Sequence, residues 1–236
     1  MEERTQDFSD VRALIFDLDG TLIDSKLDLA LAVNATLAEM GANTLSQEQI
    51  SGYVGQGAAT LIARALGNSA SEDEHRRGLD FFIRHYSAHK LDHTTVYPGV
   101  REALDALAGM PMAVLTNKPV RVSREIIAGL GLGHYFRVIY GGNSFERKKP
   151  DPMGVETLLR EFGAAAEQIM IIGDSEIDVQ TARNSGTWAC GVTYGFGNHQ
   201  LDTFPPDLLI DTLVELPPRL SGTPTRGPRR FPVGRP

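Results

Sequence analysis

Short apolar runs alternate with segments of helical spacing through most of the chain. The first run, residues 13–16, ends at an acidic turn, which predicts a buried strand with a sharp end. Further runs predict strands at 112–116, 138–140, 169–172 and 188–192. Apolar positions three and four residues apart predict helices at 100–107, 122–130, 155–162 and 178–183. This alternation predicts an α/β fold with a doubly wound, mostly parallel sheet.

One segment departs from the alternation and contains only helical patterns. Helices are predicted near 27–40, 57–66 and 71–89, and no strand is predicted between them and the run at 112. The apolar face of the first of these helices is assigned to Leu27, Leu31, Leu37 and Met40.

These patterns divide the chain into a core, a cap and a tail. We expect an α/β core of residues 1–24 and 97–216, and a helical cap of residues 25–96 that covers the strand ends as a lid. The alternative is an ordinary run of core helices. Residues 217–236 are rich in Pro, Gly and Arg, contain few apolar residues and are predicted to be disordered.

Composition and charge narrow the class of protein. Apolar residues make up 42% of the 236, a globular value, and the single cysteine cannot form an internal disulfide. The net charge of −7 argues against a general nucleic-acid binder, although five arginines and no acid follow residue 216. The start of the chain is acidic and leads into no apolar segment, and no run reaches the ~18 residues of a membrane span. We expect a cytoplasmic protein without a membrane partner.

Polar residues follow four of the predicted elements where a parallel sheet places its ligands, beyond the carboxyl ends of the strands. Each set alone is compatible with a capped turn or a solvated loop, but the four together favour one shared cleft. The sets are Asp17 and Asp19; Thr116, Asn117 and Lys118; Lys148 and Lys149; and Asp174, Ser175 and Asp178.

Crowded carboxylates require a cation, and oxygen ligands of this kind suit Mg²⁺ bound together with a substrate phosphate. A lysine and a hydroxyl would serve the remaining phosphate oxygens, and a carboxylate can act as a nucleophile. The composition of the cleft therefore predicts metal-assisted phosphoryl transfer.

The same residues resemble the four ordered signatures of the haloacid dehalogenase-like (HAD) superfamily, over about residues 13–192. Four signatures in the right order are far more specific than any one of them. They read Phe16-Asp17-Leu-Asp19-Gly20-Thr21-Leu-Ile-Asp24-Ser25, Thr116-Asn117-Lys118-Pro119, Lys148-Lys149-Pro150-Asp-Pro152 and Gly173-Asp174-Ser175-Glu-Ile-Asp178.

Within that superfamily the chain is most similar to the phosphoglycolate phosphatase group. The stretches that carry this second resemblance are Tyr53-Val-Gly55-Gln-Gly57-Ala58, Tyr97-Pro-Gly99-Val100, Leu115-Thr-Asn-Lys-Pro119, Gly141-Gly142 and Val192-Thr-Tyr-Gly195. The implied activity is hydrolysis of a small phosphorylated metabolite, 2-phosphoglycolate, to glycolate and phosphate.

The resemblance also implies a role for each signature residue. Asp17 would take the phosphoryl group, and Asp19 would protonate the leaving alkoxide and then activate water. Mg²⁺ would be held by the carboxylates of Asp17 and Asp174 and by the backbone carbonyl of Asp19. Thr116, the backbone of Asn117, and Lys149 would bind phosphate oxygens, with Lys148 a weaker candidate than Lys149. Asp178 would orient Lys149 or metal-bound water.

Selection of the substrate is assigned to the cap. A helix predicted to start near Gly57 would favour an anion, so Gly55, Gln56 and Arg64 are expected to contact the substrate carboxylate. A surface role for Arg64 is an equal alternative. His85, His89 and His93 recur at every fourth position, but no accompanying Glu completes a zinc motif, which favours a solvated face. Cys190 is expected to be buried and inert.

Four other functions stay open at this point. The chain could hydrolyse a sugar phosphate or pyrophosphate, act as a phosphomutase similar to β-phosphoglucomutase, or serve as a non-catalytic binding or regulatory protein. A dehalogenase is disfavoured because Thr116 and the metal acids belong to the phosphate-handling pattern. Thr21, after the first Asp-x-Asp-Gly, leans toward hydrolysis over the mutase, and retention of both Asp17 and Asp19 disfavours a regulator.

Overall fold

A six-stranded, wholly parallel sheet forms the centre of the protein. The computed structural model describes residues 7–221, apart from the side chain of Asn198. The strands are β1 Ala13–Phe16, β4 Met112–Leu115, β5 Val138–Tyr140, β6 Ile169–Gly173, β7 Trp188–Val192 and β8 Leu208–Ile210. Their order across the sheet is β5-β4-β1-β6-β7-β8, which is the doubly wound arrangement expected from the sequence.

The continuous apolar runs reflect burial of both faces of this sheet. Residues that alternate along a strand point to opposite faces, and each face packs into its own core cluster. Leu14 and Phe16 of β1 lie in one cluster, and Ala13 and Ile15 lie in the other. All four residues are at most 1% exposed, which explains why β1 shows no polar alternation.

Helices connect the core strands and cover the sheet. They are α5 Val100–Ala106, α6 Val120–Gly129, α7 Met153–Phe162, α8 Glu176–Ser185 and α9 Leu216–Leu220. α7 ends at the predicted residue 162 and α8 runs two residues beyond the predicted 183; Gly163 and Gly186, which adopt left-handed backbone angles (φ 64° and 72°), terminate the two helices.

Four helices are inserted between two short strands, β2 Ile23–Asp24 and β3 Thr95–Val96. They are α1 Lys26–Glu39, α2 Gln47–Ser51, α3 Ala58–Leu66 and α4 Glu72–His89. The two strands pair antiparallel, so the chain leaves and re-enters the core at one place. The buried carboxylate of Asp28 strengthens this junction by accepting bonds from the backbone N–H groups of His93 and Thr94 and from the Thr94 hydroxyl.

Several sequence predictions were wrong or incomplete. β2 and β3 are two residues long, too short to show a period, and β8 was missed although it is as long as β5, which was predicted. Leu27 and Leu31 are 41% and 50% exposed, so they do not lie on the packed face of α1. The apolar side chains of α1 point to several sides of the helix, and the stripe that packs consists of Leu29, Val33 and Leu37.

Part of the predicted disordered tail is helical. Residues 217–220 belong to α9, and Leu220 packs into the core together with Leu216, one turn earlier. The remainder of that prediction, residues 222–236, lies outside the described residues. The division at 25 and 96 into core and cap stays a prediction. Among residues 7–221, no helix is both long and apolar enough to cross a bilayer.

Candidate active site

The polar turns after β1, β4 and β6 meet at one edge of the sheet. β1 pairs with β4 on one side and with β6 on the other, and all three strands are parallel, so their carboxyl ends are adjacent. A cavity of about 610 Å³ opens there between the sheet edge and the inserted helices. The core residues that line it include Asp17, Asp19, Thr116, Lys118 and Asp174.

Three buried acids and one buried lysine form the centre of this site. Carboxylate oxygens of Asp17, Asp174 and Asp178 lie within 4.8 Å of one another. The Lys149 ammonium lies 3.0 Å from Asp17 Oδ1 and 2.6 Å from Asp178 Oδ1. Burial alone would lower the pKa of Lys149, but the two carboxylates raise it above its usual value, so the side chain carries its charge.

The two acids nearest the cavity, Asp17 and Asp174, have raised pKa values. Burial is the main cause that raises the pKa of Asp17 to about 6; Lys149 opposes the rise and Asp178 adds to it. Burial, followed by the charges of Asp178 and Asp17, raises the pKa of Asp174 to about 7. A cation placed between Asp17 and Asp174 would relieve this repulsion.

Backbone donors and glycines orient Asp174. Its Oδ2 accepts bonds from the N–H groups of Phe196 (2.6 Å) and Gly197 (2.9 Å), in the loop after β7. A Cβ atom at Gly20 or Gly195 would lie within 2.3 Å of an Asp174 side-chain atom. The chain therefore requires glycine at both positions to pack around this carboxylate.

The same acids fit a divalent cation. Asp17 Oδ1 is buried, and its near contact is the ion pair with the Lys149 ammonium at 3.0 Å. Both Asp178 oxygens already accept bonds, from Lys149 and from the N–H and hydroxyl of Ser175. Asp17 and Asp174 are thus the better ligands, and hard oxygen donors of this type suit a metal such as Mg²⁺.

Thr116 and Asn117 directly follow β4, beside these acids. The Thr116 hydroxyl accepts a bond from the N–H of Lys118, which leaves its own proton for a ligand oxygen. The Asn117 side chain instead ties the core to the inserted segment, since its Nδ2 donates to the carbonyls of Gly55 (2.9 Å) and Lys149 (3.0 Å). Both side-chain N–H donors of Asn117 are thus occupied, so a bond from Asn117 to a phosphate oxygen would come from its backbone N–H.

Asp19 lies in a second polar group at the same cavity, and the sequence reasoning gave no role to its partners. Ser25 Oγ donates to Asp19 Oδ1 at 2.5 Å. The Lys118 ammonium donates to both Asp19 oxygens, at 2.9 and 3.0 Å, and to the Tyr86 hydroxyl of α4 at 2.8 Å. Burial alone would lower the pKa of Lys118, but Asp19 and Tyr86 raise it above its usual value.

Lys118 and Tyr86 left only weak signals in the sequence. A charged residue directly after a strand usually lies in solvent, and nothing local shows that Lys118 is buried. Tyr86 follows Phe82 by four residues and shares its buried helix face, so a closer reading of α4 would have placed it inward. The partner of the Tyr86 hydroxyl, Lys118, lies in a different part of the chain.

The loop before α3 lines the cavity opposite the acids. Gly55, Gln56 and Arg64 all border it, but the Gln56 side chain is occupied by Arg64, whose guanidinium donates to Gln56 Oε1 at 2.9 Å. Arg64 is exposed and also donates to the Tyr53 carbonyl. Lys148 does not join the acids; its ammonium donates to the Gln56 carbonyl and holds this loop to the core.

The remaining candidates lie outside the site. His85 stacks on Phe81 and on the exposed His89, whose Nδ1 contacts Asp92, and His93 follows the end of α4. Among residues 7–221, the only cluster of three potential metal ligands is the acidic one. Cys190 is buried in β7, and burial raises the pKa of its thiol.

Known proteins share both this sequence and this fold. The sequence model of the haloacid dehalogenase-like hydrolase family matches residues 14–192. A phosphoglycolate phosphatase of Pseudomonas syringae pv. tomato is 41% identical over 88% of this chain and 79% of its own length. A phosphoglycolate phosphatase of Vibrio parahaemolyticus is 38% identical over 88% and 95% of the two chains.

Solved structures agree with these sequence relatives. A crystal structure from Haemophilus somnus, described as a predicted phosphoglycolate phosphatase, superposes with a TM-score of 0.84 at 31% identity, over 88% of this chain and 96% of that one. Residues 14–192, which the family model matches, contain all four groups of polar residues and the inserted helices. The chain therefore belongs to the haloacid dehalogenase-like hydrolase family.

Proposed function

We propose that the protein is a Mg²⁺-dependent phosphatase that hydrolyses 2-phosphoglycolate to glycolate and phosphate, with Asp17 as the nucleophile. The observation that carries the proposal is the position of Asp17, whose buried carboxylate borders the cavity between Asp174 and Lys149. The names of the relatives, which are about 40% identical, support the substrate.

The metal would be held by the carboxylates of Asp17 and Asp174 and by the backbone carbonyl of Asp19. When bound, it offsets the negative charge of the acids and of the phosphoryl oxygens, so that an anionic nucleophile can approach an anionic group. The raised pKa values of Asp17 and Asp174 mark both as carboxylates that need such a cation.

The first step transfers the phosphoryl group to the protein. An Asp17 oxygen attacks phosphorus, the bond from phosphorus to the ester oxygen breaks, and Asp19 gives its proton to the departing alkoxide. The Thr116 hydroxyl, the Asn117 backbone and Lys149 bind the phosphoryl oxygens. Asp178 holds the Lys149 ammonium toward Asp17 by accepting its bond at 2.6 Å.

The second step returns the enzyme to its starting state. Asp19, now a carboxylate, takes a proton from water as the water oxygen attacks phosphorus, and the bond from phosphorus to Asp17 breaks. Phosphate leaves and Asp19 is again an acid. Uncatalysed phosphate monoester hydrolysis is among the slowest reactions known, needing accelerations up to ~10²¹-fold, so charge offset and positioning must act together.

The contribution of Gly55, Gln56 and Arg64 to substrate binding stays a prediction. All three border the cavity, which supports it, but the Gln56–Arg64 bond must open or be shared if either side chain is to reach a ligand.

A substrate panel tests the proposed function. We expect phosphate release from 2-phosphoglycolate with Mg²⁺, much slower release from sugar phosphates and pyrophosphate, and none with EDTA. Faster hydrolysis of a sugar phosphate or of pyrophosphate would replace the substrate. Interconversion of sugar phosphates without phosphate release would indicate a mutase, and binding without turnover would indicate a regulatory protein.

A further inference from the structure

Lys118 is a buried cation at the cavity that the phosphoryl-transfer chemistry does not use. Its side chain is 6% exposed, and among the described residues its one ion pair is with Asp19. Lys149, the other buried lysine, faces Asp17 and Asp178 and so serves the phosphoryl side. Lys118 therefore lies beside Asp19, the residue that must contact the leaving group.

Distances place the Lys118 ammonium close to that leaving group. Asp19 must touch the ester oxygen in order to protonate it, and the ammonium is 2.9 and 3.0 Å from the two Asp19 oxygens. In 2-phosphoglycolate the carboxylate is attached to the carbon that bears the ester oxygen. A group that contacts Asp19 is thus within reach of a carboxylate two bonds from the atom that Asp19 protonates.

The hydrogen bonds of Lys118 allow it to be shared. An ammonium has three donors, and here they point to the two Asp19 oxygens and to Tyr86. The bond to Asp19 Oδ1 is redundant, because Ser25 also donates to that oxygen. This donor can turn to a substrate oxygen while the bonds to Oδ2 and Tyr86 keep the ammonium in place.

Other basic side chains at the cavity are less suited to this contact. Within residues 7–221, the lining contains Arg64 and His199 in addition to Lys118, and both of these are exposed. A charge-assisted bond gains more in a buried position, where water does not compete for the ligand.

We propose that Lys118 binds the carboxylate of the leaving group and so selects phosphate esters that carry a carboxylate on the ester carbon. This inference rests on the proposed phosphatase function. It assigns recognition of the leaving group to a core residue directly after β4, held in place by a hydroxyl from α4.

The test compares two esters of nearly the same size, 2-phosphoglycolate and 2-hydroxyethyl phosphate. In the second ester a neutral CH₂OH group replaces the carboxylate. The measured quantity is the ratio of their kcat/KM values. We expect Lys118→Met, a neutral side chain of similar length, to lower this ratio about 10- to 100-fold, as loss of a hydrogen bond between charged groups does. The matched control is Lys148→Met, which removes the same charge near the cavity rim and should leave the ratio unchanged.

Other outcomes of this comparison overturn the inference. If Lys118→Met slows both esters equally, Lys118 only positions Asp19 and does not contact the carboxylate. If Arg64→Ala lowers the ratio and Lys118→Met does not, the carboxylate binds at Arg64. If wild-type protein hydrolyses neither ester the proposed function fails, whereas equal rates on both refute only the role of Lys118.

Binding measurements keep the test independent of turnover and of any loss of stability in one variant. Calorimetry with both esters in an Asp17→Asn background should show the same preference, weakened by the added Lys118→Met. Should that variant fail to fold, Tyr86→Phe removes one hydrogen bond from the ammonium and should shift the preference in the same direction by a smaller factor. An unchanged preference in the foldable variant contradicts the proposal.

Discussion

The two buried lysines of the cavity differ in where their partners come from. Lys149 pairs with Asp17 and Asp178, and all three lie in loops or helices that connect the strands of the parallel sheet. Lys118 pairs with Asp19 and also bonds Tyr86, which lies on the inserted helix α4. The phosphoryl side of the site is therefore built by the core alone, while the leaving-group side is completed by the inserted helices.

Such a division would allow one scaffold to keep its chemistry while its substrate changes. The groups that handle phosphorus lie at strand ends, whose positions are set by the sheet register. The groups near the leaving group depend on how the insertion lies over the sheet, so sequence changes there alter selectivity first. We therefore expect different effects from substitutions on the phosphoryl side and on the leaving-group side.

The largest effect is expected on the phosphoryl side, from Asp17→Asn. Asparagine has the same shape but cannot serve as the nucleophile, so turnover should be abolished while the protein stays folded. Steady-state phosphate release and thermal unfolding measure the two properties. Measurable hydrolysis by the purified variant would refute the assignment of Asp17.

Substitution of Lys149 should lower kcat far more than substitution of the adjacent Lys148. Lys149→Met should lower kcat about 10²- to 10³-fold, because it removes a charge from the transferring group and leaves two buried acids unpaired. Lys148→Met loses only a bond to the Gln56 carbonyl and should change kcat several-fold at most. Equal losses in the two variants would contradict the division of roles.

Metal binding should depend on pH through the two raised carboxylates. Protons compete with the cation below the pKa values of about 6 for Asp17 and about 7 for Asp174. Mg²⁺ affinity should therefore fall up to about tenfold per pH unit between pH 7 and 6, and up to about a hundredfold per unit below 6, where both carboxylates take up a proton. Calorimetric titration across this range measures it, with Asp174→Asn as the control that loses most of the affinity.

The same shifts set the stability of the metal-free protein. The unfolded chain ionises these acids near 3.8, whereas the folded state keeps their protons up to about 6 and 7, so this site loses stability as pH rises through that window. Added Mg²⁺ should raise the Tm more at about pH 8 than at about pH 5. An equal rise at both values would argue against Asp17 and Asp174 as ligands.

The smallest effect is expected where the insertion contacts the core. Gly57 has φ 86°, and a Cβ there would lie 3.1 Å from the Asn117 carbonyl oxygen and 3.2 Å from the Lys148 ammonium. Gly57→Ala should therefore cost about 1 kcal/mol of stability from backbone strain and also raise KM. Gly67→Ala is the matched control, because Gly67 has φ 78° and a Cβ there meets nothing within 4 Å. KM should rise only in the first variant.

The sequence predicted the core side of the molecule better than the inserted side. Strands at 138–140 and 188–192 were predicted with the bounds that the structure shows, because continuous apolar runs bounded by turns are unambiguous. The acids after the strands at 13–16 and 169–172 could be grouped because parallel strands end at one edge of the sheet. The face of α1 was predicted only in part: Leu37 packs as expected, but Leu27 and Leu31, which have the same four-residue spacing as Leu29 and Val33, are exposed.

Contacts between distant segments account for what the sequence could not show. The bond from Lys118 to Tyr86 joins residues 32 positions apart, and the bond from Asn117 to the Gly55 carbonyl spans 62. No local pattern encodes either contact. The same applies to the backbone donors of the loop after β7, which orient Asp174.

The most direct test of the account asks where the phosphoryl group goes. Protein mixed with ³²P-labelled 2-phosphoglycolate and Mg²⁺ is quenched in acid during turnover, and its peptides are separated and counted. We predict label on the peptide that contains Asp17, and none with EDTA or in Asp17→Asn. Rapid phosphate release with no label on that peptide, or with label on another, would contradict the central claim that Asp17 accepts the phosphoryl group.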